Sequence, residues 1–342
     1  MNVATQSDQE DPRGQLARLF QRMMEDYRPI ELGEAVNPVD AFFCYRMLLG
    51  RMPSADVELP NLLSLGEFPY REFLNSVLNS SEFSGHGAFM PGGHRFMAEL
   101  PLFRFWFRTE DREMGSLMGM GQYEPETISL LPKLVQAGDL CMDIGAQTGF
   151  ISMHLATLVG SAGHVYAMEP MQDSFDILTK NVDENRFHSV ITAQHLACSD
   201  HSGEQHFIQR SGMLIATEGN EAGEVISIRS VRADDVPKGR VSFVKLDVEG
   251  HEPTVLKGMP RILNKDRPII LTEVNEFWLR RAGSSGPDYL RQLTEFGYAL
   301  RRTEDGSSID PAHVSFGALD SMNVLAIPTE RDEQVSKMIC AE

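Results

Sequence analysis

Residues Leu140–Phe150 read L-C-M-D-I-G-A-Q-T-G-F. A short apolar run ends on an acid, Asp143, breaks into a turn holding Gly145 and Gly149, and then opens a helix. Glycine at these two places lets the backbone turn tightly and approach a ligand with no Cβ in the way, while the helix start offers unpaired N–H groups. The arrangement is one that cradles a nucleotide. Its pattern, D-x-G-x-x-x-G, differs from the G-x-G-x-x-G turn of dinucleotide-binding folds. Glycine turns after strands are common, so the weight of this one comes from the strands and acids downstream of it.

From Asp139 onward strand and helix patterns alternate. Strands are expected near 140–144, 165–169, 190–197, 241–247, 269–274, 298–302 and 323–327, and helices near 150–158, 172–185, 252–263 and 288–296. Alternation of this kind implies an α/β fold: a mostly parallel sheet covered on both faces, with ligands at the carboxyl ends of the strands. Residues 202–231 read as extra strand or hairpin structure inserted between alternating units.

Three of the later strands also end in acids. The strand Y-A-M-E places Glu169 twenty-six positions after Asp143, where a carboxylate on the neighbouring strand can accept from both hydroxyls of a ribose. The next ends in A-C-S-D, which puts Ser199 and Asp200 beside an adenine. In V-K-L-D-V-E-G-H-E the residues Lys245, Asp247 and Glu249 alternate and so share one face. Charges inside a sheet are costly unless used or paired, and a Lys245–Asp247 pair that merely stabilises the strand end is the structural alternative.

Before this region the chain is different. Residues 1–14 are polar and read as disordered, and 15–95 read as a small helical module. Within that module, helices are expected over 15–27, from Pro38 into L-L-G-R-M-P, and over 71–83. The glycine-rich 84–94 is a linker whose His86 and His94 read as loop histidines. The aromatic 97–109 reads as a strand or cover element, and G-Q-Y-E-P-E-T (121–127) leads into a helix through Leu134. The α/β domain spans 96–330, and 331–342 form a tail. A formal charge of -18, with 49 acidic and 31 basic residues, argues against nucleic acid or an anionic membrane as the main partner. The four cysteines are scattered, without a C-x-x-C pair, which excludes a zinc finger and suits a reducing compartment. The first residues show no basic region followed by an apolar core, and no apolar run reaches membrane-spanning length, so a cytoplasmic protein is expected.

The motifs D-I-G-A-Q-T-G, Y-A-M-E-P, V-K-L-D-V-E-G-H-E-x-x-V-L-K-G and the upstream G-Q-Y-E-P-E together resemble the FkbM family of S-adenosylmethionine-dependent methyltransferases over Tyr123 to Pro328. The resemblance implies the seven-stranded class I methyltransferase fold, with O-methyl transfer to a hydroxyl of a saccharide, polyketide or related product. It also implies that Tyr123, Glu124, Asp143, the turn Gly145, Ala146, Gln147, Thr148 and Gly149, and Glu169 hold the cofactor. Lys245, Asp247, Glu249 and His251 then form the catalytic group facing the acceptor. Gln147 stands where the family usually has asparagine. In the N-terminal region, Y-R-M-L-L-G-R-M-P (45–53) and N-S-S-E-F (79–83) are similar to a small bacterial helical domain attached to cell-surface and glycan-related proteins. That likeness implies docking, assembly or self-association through residues 15–95; a helical cap on the next domain is the alternative.

Methyl transfer from a sulfonium requires in-line positioning of the acceptor oxygen and removal of its proton. His251 and Asp247 are the candidate bases. A hard cation such as Mg2+ on Asp247, Glu249 and Glu273 is a second route. Glu273 and Asn275, ending T-E-V-N, are candidate acceptor-binding residues. Two rival readings stay open: a methyltransferase-like scaffold acting as an assembly protein, and an NAD-dependent oxidoreductase, which the missing G-x-G-x-x-G turn disfavours.

Overall fold

The computed structural model describes residues 35–48, 53–54, 58–63, 69–70, 73, 77, 89–90, 93–108, 112–119, 121–210, 213–216 and 224–339. The chain divides into two compact units, Met1–His94 and Arg95–Glu342. In the first, α1 (Pro38–Leu48) starts where Asn37 Oδ1 accepts from the Val39 amide at 2.9 Å, and α2 (Glu58–Leu63) buries Leu59 with Val39. The helix expected over 15–27 lies outside the described residues, and the segments 71–83 and 84–94 fall almost wholly outside them.

From the boundary onward the chain runs β1 (Gly93–Glu99), β2 (Arg104–Arg108), α3 (Arg112–Gly119), α4 (Pro125–Leu134), β3 (Leu140–Ile144), α5 (Phe150–Val159), β4 (His164–Met168), α6 (Gln172–Glu184) and β5 (Ile191–Gln194). It continues through β6 (Ala197–Ser199), β7 (Gly203–Arg210), β8 (Met213–Ala216), β9 (Glu224–Arg232), β10 (Phe243–Leu246) and α7 (Glu252–Lys257). It closes with β11 (Ile269–Asn275), α8 (Glu276–Arg281), α9 (Gly286–Glu295), β12 (Tyr298–Arg302), β13 (Ser321–Pro328) and α10 (Asp332–Ile339). The main sheet has seven strands in the order β12-β13-β11-β10-β3-β4-β5, parallel except at β13. This is the class I methyltransferase sheet. Its strands are apolar because both faces are covered: Phe150, Met153, Leu155 and Leu178 lie in the core of one side, Val255, Leu256, Met259 and Tyr289 in that of the other. The order reverses between β3 and β10, and there the carboxyl ends of the strands open a crevice.

Three local departures from the sequence pattern have plain causes. The single strand expected over 190–197 ends at Gln194, because the Leu196 amide turns back onto the Gln194 carbonyl at 3.1 Å; Ala197–Ser199 then joins a second sheet, β6-β9-β7-β8, built from the insertion. The helix expected over 252–263 stops at Lys257, and a π-turn, Ile262–Asp266, follows Pro260, which has no amide to continue the ladder. Short α3 and α8 escape periodicity altogether; α8 starts directly on a strand end, capped by Asn275.

The aromatic segment forms the β1–β2 hairpin, which docks on α6 by backbone recognition. Asn181 Oδ1 accepts from the Trp106 amide at 2.6 Å, and its Nδ2 donates to the carbonyls of Trp106 at 3.0 Å and Thr148 at 2.8 Å. One turn along the helix, Asn185 Oδ1 accepts from the Arg104 amide at 2.8 Å and its Nδ2 donates to the Arg104 carbonyl at 2.7 Å. Two carboxamides thus satisfy alternate residues of a strand edge in place of a further strand. Asn181 is fully buried and also touches the glycine turn, so it ties hairpin, helix and turn together. Asn181→Ala is expected to lower unfolding free energy by about 2–4 kcal/mol and Asn185→Ala by about 1–2 kcal/mol, from the bonds each loses; urea unfolding of both variants measures the difference.

Candidate active site

The turn after β3 spends its amides inside the protein. Gly145 and Ala146 donate to the Met168 carbonyl at 3.0 and 2.9 Å, and Gln147 donates to Glu169 Oε2 at 2.8 Å. Both glycines have positive φ, yet the spaces where a Cβ would sit are filled by protein: the Asp247 carbonyl at Gly145 and the Leu178 side chain, 2.5 Å away, at Gly149. The glycines therefore serve close strand and helix approach, beyond the ligand approach read from the sequence. With three successive amides committed, the turn has no nest for a pyrophosphate, which speaks against the dinucleotide reading. Gln147 holds φ 50, a left-handed conformation that asparagine tolerates better. An asparagine at this position would meet the same backbone geometry at lower cost.

Asp143 lies under the turn, 1% exposed, accepting from Ser152 Oγ at 2.5 Å. Burial pushes its carboxyl up to about 6. Glu169 is 5% exposed; its Oε1 accepts from the Met171 amide at 2.7 Å, and burial raises it to about 7. Ala146 and Thr148 are buried, and Tyr123 packs edge-on against Phe150 with ring centroids 5.8 Å apart.

Beside this turn, at the end of β10, Lys245 Nζ bonds Asp247 Oδ2 at 2.9 Å. Lys245 is 2% exposed; burial disfavours its charge, but Asp247 and Glu124 more than compensate and hold it well above the ordinary lysine value. One ammonium thus faces an excess of acids. Glu249, at φ 52, is driven up to about 8 by burial and then by Asp247 and Glu273. Glu273 is raised by burial and by Asp247. Glu252 accepts from the amides of Val248 and Gly250 at 2.9 and 3.3 Å and so closes the D-V-E-G-H-E turn; burial lifts it to about 7.

The structure thus gathers Tyr123, Glu124, Lys245, Asp247, Glu249 and Glu273 at one place. His251 is not among them. Its Nε2 faces Ser199 Oγ at 3.3 Å and its ring meets Phe207 at 5.9 Å; burial lowers it to about 4. Ser199 is fully buried in that second cluster with Gln205 at 3.0 Å, while the exposed Asp200 pairs with His201 at 2.6 Å. Asn275 turns its side-chain oxygen to the Trp278 amide at 3.4 Å as a helix cap. Sequence reading passed over Thr127, Asn181, Gln194 and Glu252; only the acid of Glu252, repeated inside the turn motif, carried a signal.

S-adenosylmethionine offers a sulfonium and an ammonium, together with ribose and adenine donors. The residues fit such a group: Glu124 Oε2 and Gln194 Oε1 are buried acceptor atoms with no hydrogen-bond partner, and the acid excess around Lys245 favours a cation. Among the described residues no group of three or more His, Cys, Asp or Glu is placed to hold a metal ion, and no helix is long and apolar enough to cross a membrane.

Comparison with known proteins defines the class. A family model described as the methyltransferase FkbM domain matches residues 143–300. The hexuronic acid methyltransferase AglP of Haloferax volcanii is 34% identical over 178 residues, covering 50% of this chain and 68% of that protein. A solved methyltransferase FkbM from Methylobacillus flagellatus is similar at 16% identity and a TM-score of 0.39, covering 84% of this chain and 59% of its own. A SAM-dependent O-methyltransferase from Thermotoga maritima is similar at 17% identity and a TM-score of 0.37, covering 63% and 70%. The chain belongs to the FkbM methyltransferase family and is an S-adenosylmethionine-dependent methyltransferase.

The raised carboxyls set a pH dependence. Between their ordinary values and their folded values of about 6 to 8, Asp143, Glu169, Glu252 and Glu249 hold protons that the unfolded chain has released. Stability from these groups is therefore present at low pH and is lost as pH rises. Below about 6.5 the buried His154 and His251, both lowered to about 4, act in the opposite sense. Hence the melting temperature of the cofactor-free protein is expected to fall from pH 6.5 to 8, as scanning calorimetry would register, and a flat profile would contradict the burial of these acids. Separately, Gln147→Asn is expected to raise unfolding free energy by about 0.5–1 kcal/mol by easing the left-handed backbone, measurable by urea unfolding.

Proposed function

We propose that the protein is an O-methyltransferase whose acceptor is a saccharide hydroxyl, with Glu249 and Asp247 as the groups that receive and steady the acceptor's proton. The observation that carries this reading is the acid cluster around Lys245 at the carboxyl edge of β10 and β11. Lys245 holds Asp247 by the 2.9 Å ion pair, so Asp247 orients the acceptor oxygen and stabilises positive charge nearby. Glu249, driven to about 8, titrates near neutrality, where a general base is most effective. His251, facing Ser199, supports the turn from behind. When bound, S-adenosylmethionine supplies an electrophilic methyl group on its sulfonium. Glu169 holds the ribose, and the 145–149 turn shapes the floor beneath it. Glu273 and Asn275 border the acceptor. The saccharide assignment draws support from AglP, a hexuronic acid methyltransferase. Residues 15–95 act in this reading as a docking or assembly module, and Mg2+ as an auxiliary to Asp247 is the finer alternative.

Titration calorimetry with S-adenosylhomocysteine, with and without magnesium, followed by transfer of labelled methyl to hexose and hexuronate oligosaccharides, tests the proposal. Cofactor binding with transfer to a sugar hydroxyl is expected; labelling of the carboxyl group alone, or no binding, would overturn it. Glu249→Gln is expected to lower kcat by roughly 10²–10⁴-fold. It should also abolish a rate that rises with pH to a midpoint at or below about 8, since a bound cation lowers a neighbouring carboxyl. Steady-state rates of both proteins across pH 6 to 9 would show whether the rising limb depends on Glu249.

A further inference from the structure

We infer that the first turn of α4, with the Thr127 hydroxyl, is a carboxylate subsite that takes the amino-acid end of the methyl donor. The inference rests on the methyl-donor reading above. Helix α4 opens on Glu124, whose backbone is left-handed (φ 44, ψ 58) and whose side chain makes no capping bond. Pro125 has no amide, so the orphan donors of this ten-residue helix begin at Glu126 and Thr127. Thr127 stands on the buried face with Leu130, Leu131 and Leu134, 1% exposed, and its Oγ1 is buried without a hydrogen-bond partner. A buried hydroxyl in that state is costly unless a ligand completes it.

Location and charge agree with this. Tyr123, just before the helix, packs on Phe150, the first residue of α5, so the α4 start adjoins the cofactor turn. Amides and a hydroxyl can donate to an anion, and the positive helix end favours one. Three residues earlier, the partnerless Glu124 Oε2 can only accept, which suits an ammonium. A simple anion would be repelled by the surrounding acids. A zwitterion, whose ammonium meets Glu124 while its carboxylate meets Thr127, satisfies both orphans together.

The test is titration calorimetry of the full chain with S-adenosylhomocysteine and with 5′-methylthioadenosine, which share the thioadenosine part but differ in the amino-acid end. Thr127→Val is expected to weaken S-adenosylhomocysteine by about tenfold or more and leave 5′-methylthioadenosine unchanged, while Thr127→Ser retains both affinities. Thr127→Val is also expected to raise the melting temperature of the ligand-free protein, because it removes an unsatisfied hydroxyl; a purely structural threonine would give a fall. Equal weakening of both ligands, or of neither, overturns the subsite. If the wild-type protein binds neither compound, the methyl-donor reading fails and the subsite with it, a result distinct from any behaviour of the variants.

Discussion

The ion pair between Lys245 and Asp247, 2.9 Å long at the end of a strand buried on both faces, is the interaction on which the site depends. A lone ammonium or carboxylate there would be driven neutral by burial. Paired, the lysine stays charged and becomes the one positive centre against which Glu124, Asp247, Glu249 and Glu273 are set. Because acids outnumber it, the site keeps an unmet demand for positive charge. Burial first, and that demand second, raise the carboxyls of Glu249 and Glu273.

A second constraint comes from backbone hydrogen bonding. The turn between β3 and α5 keeps no run of free amides for a phosphate, since Gly145, Ala146 and Gln147 all donate to the end of β4 and its exit. It is held from outside by Asn181, which reaches the Thr148 carbonyl while gripping both backbone groups of Trp106. The hairpin thus does more than shield apolar surface: through one carboxamide its position and that of the turn are coupled. In the same turn Glu169 is fixed by the amides of Gln147 and Met171.

The two clusters at the carboxyl edge differ in character. Around Lys245 the groups are charged, crowded and short of hydrogen-bond donors. Around His251 they are satisfied through Ser199, whose hydroxyl meets the His251 imidazole at 3.3 Å and accepts from Gln205 Nε2 at 3.0 Å, and β6 closes on α7. The first suits chemistry and cation binding, and the second suits holding a turn in place.

Much of this was legible in the sequence. The order of strands and helices from Leu140 onward, and the acids at the strand ends, derive from hydrophobic period and from the cost of charge in an apolar run, both local properties. What needed the tertiary structure was how groups distant in sequence meet. His251 lies four residues from Asp247 yet points to another cluster, because the turn closed by Glu252 rotates it toward Ser199. Gly145 is read as open to a ligand until the Asp247 carbonyl is seen to fill its missing Cβ. Thr127 and Asn181 carry no local signal at all, since a threonine in a first helical turn and an asparagine on a helix face are ordinary residues until their partners, or the lack of one, become visible. Period and polarity along the chain therefore determined the fold class and most of the elements. Which buried polar atoms are satisfied, and which wait for a ligand, was decided only when the elements packed, because hydrogen bonding in a dry interior depends on positions that no local pattern encodes.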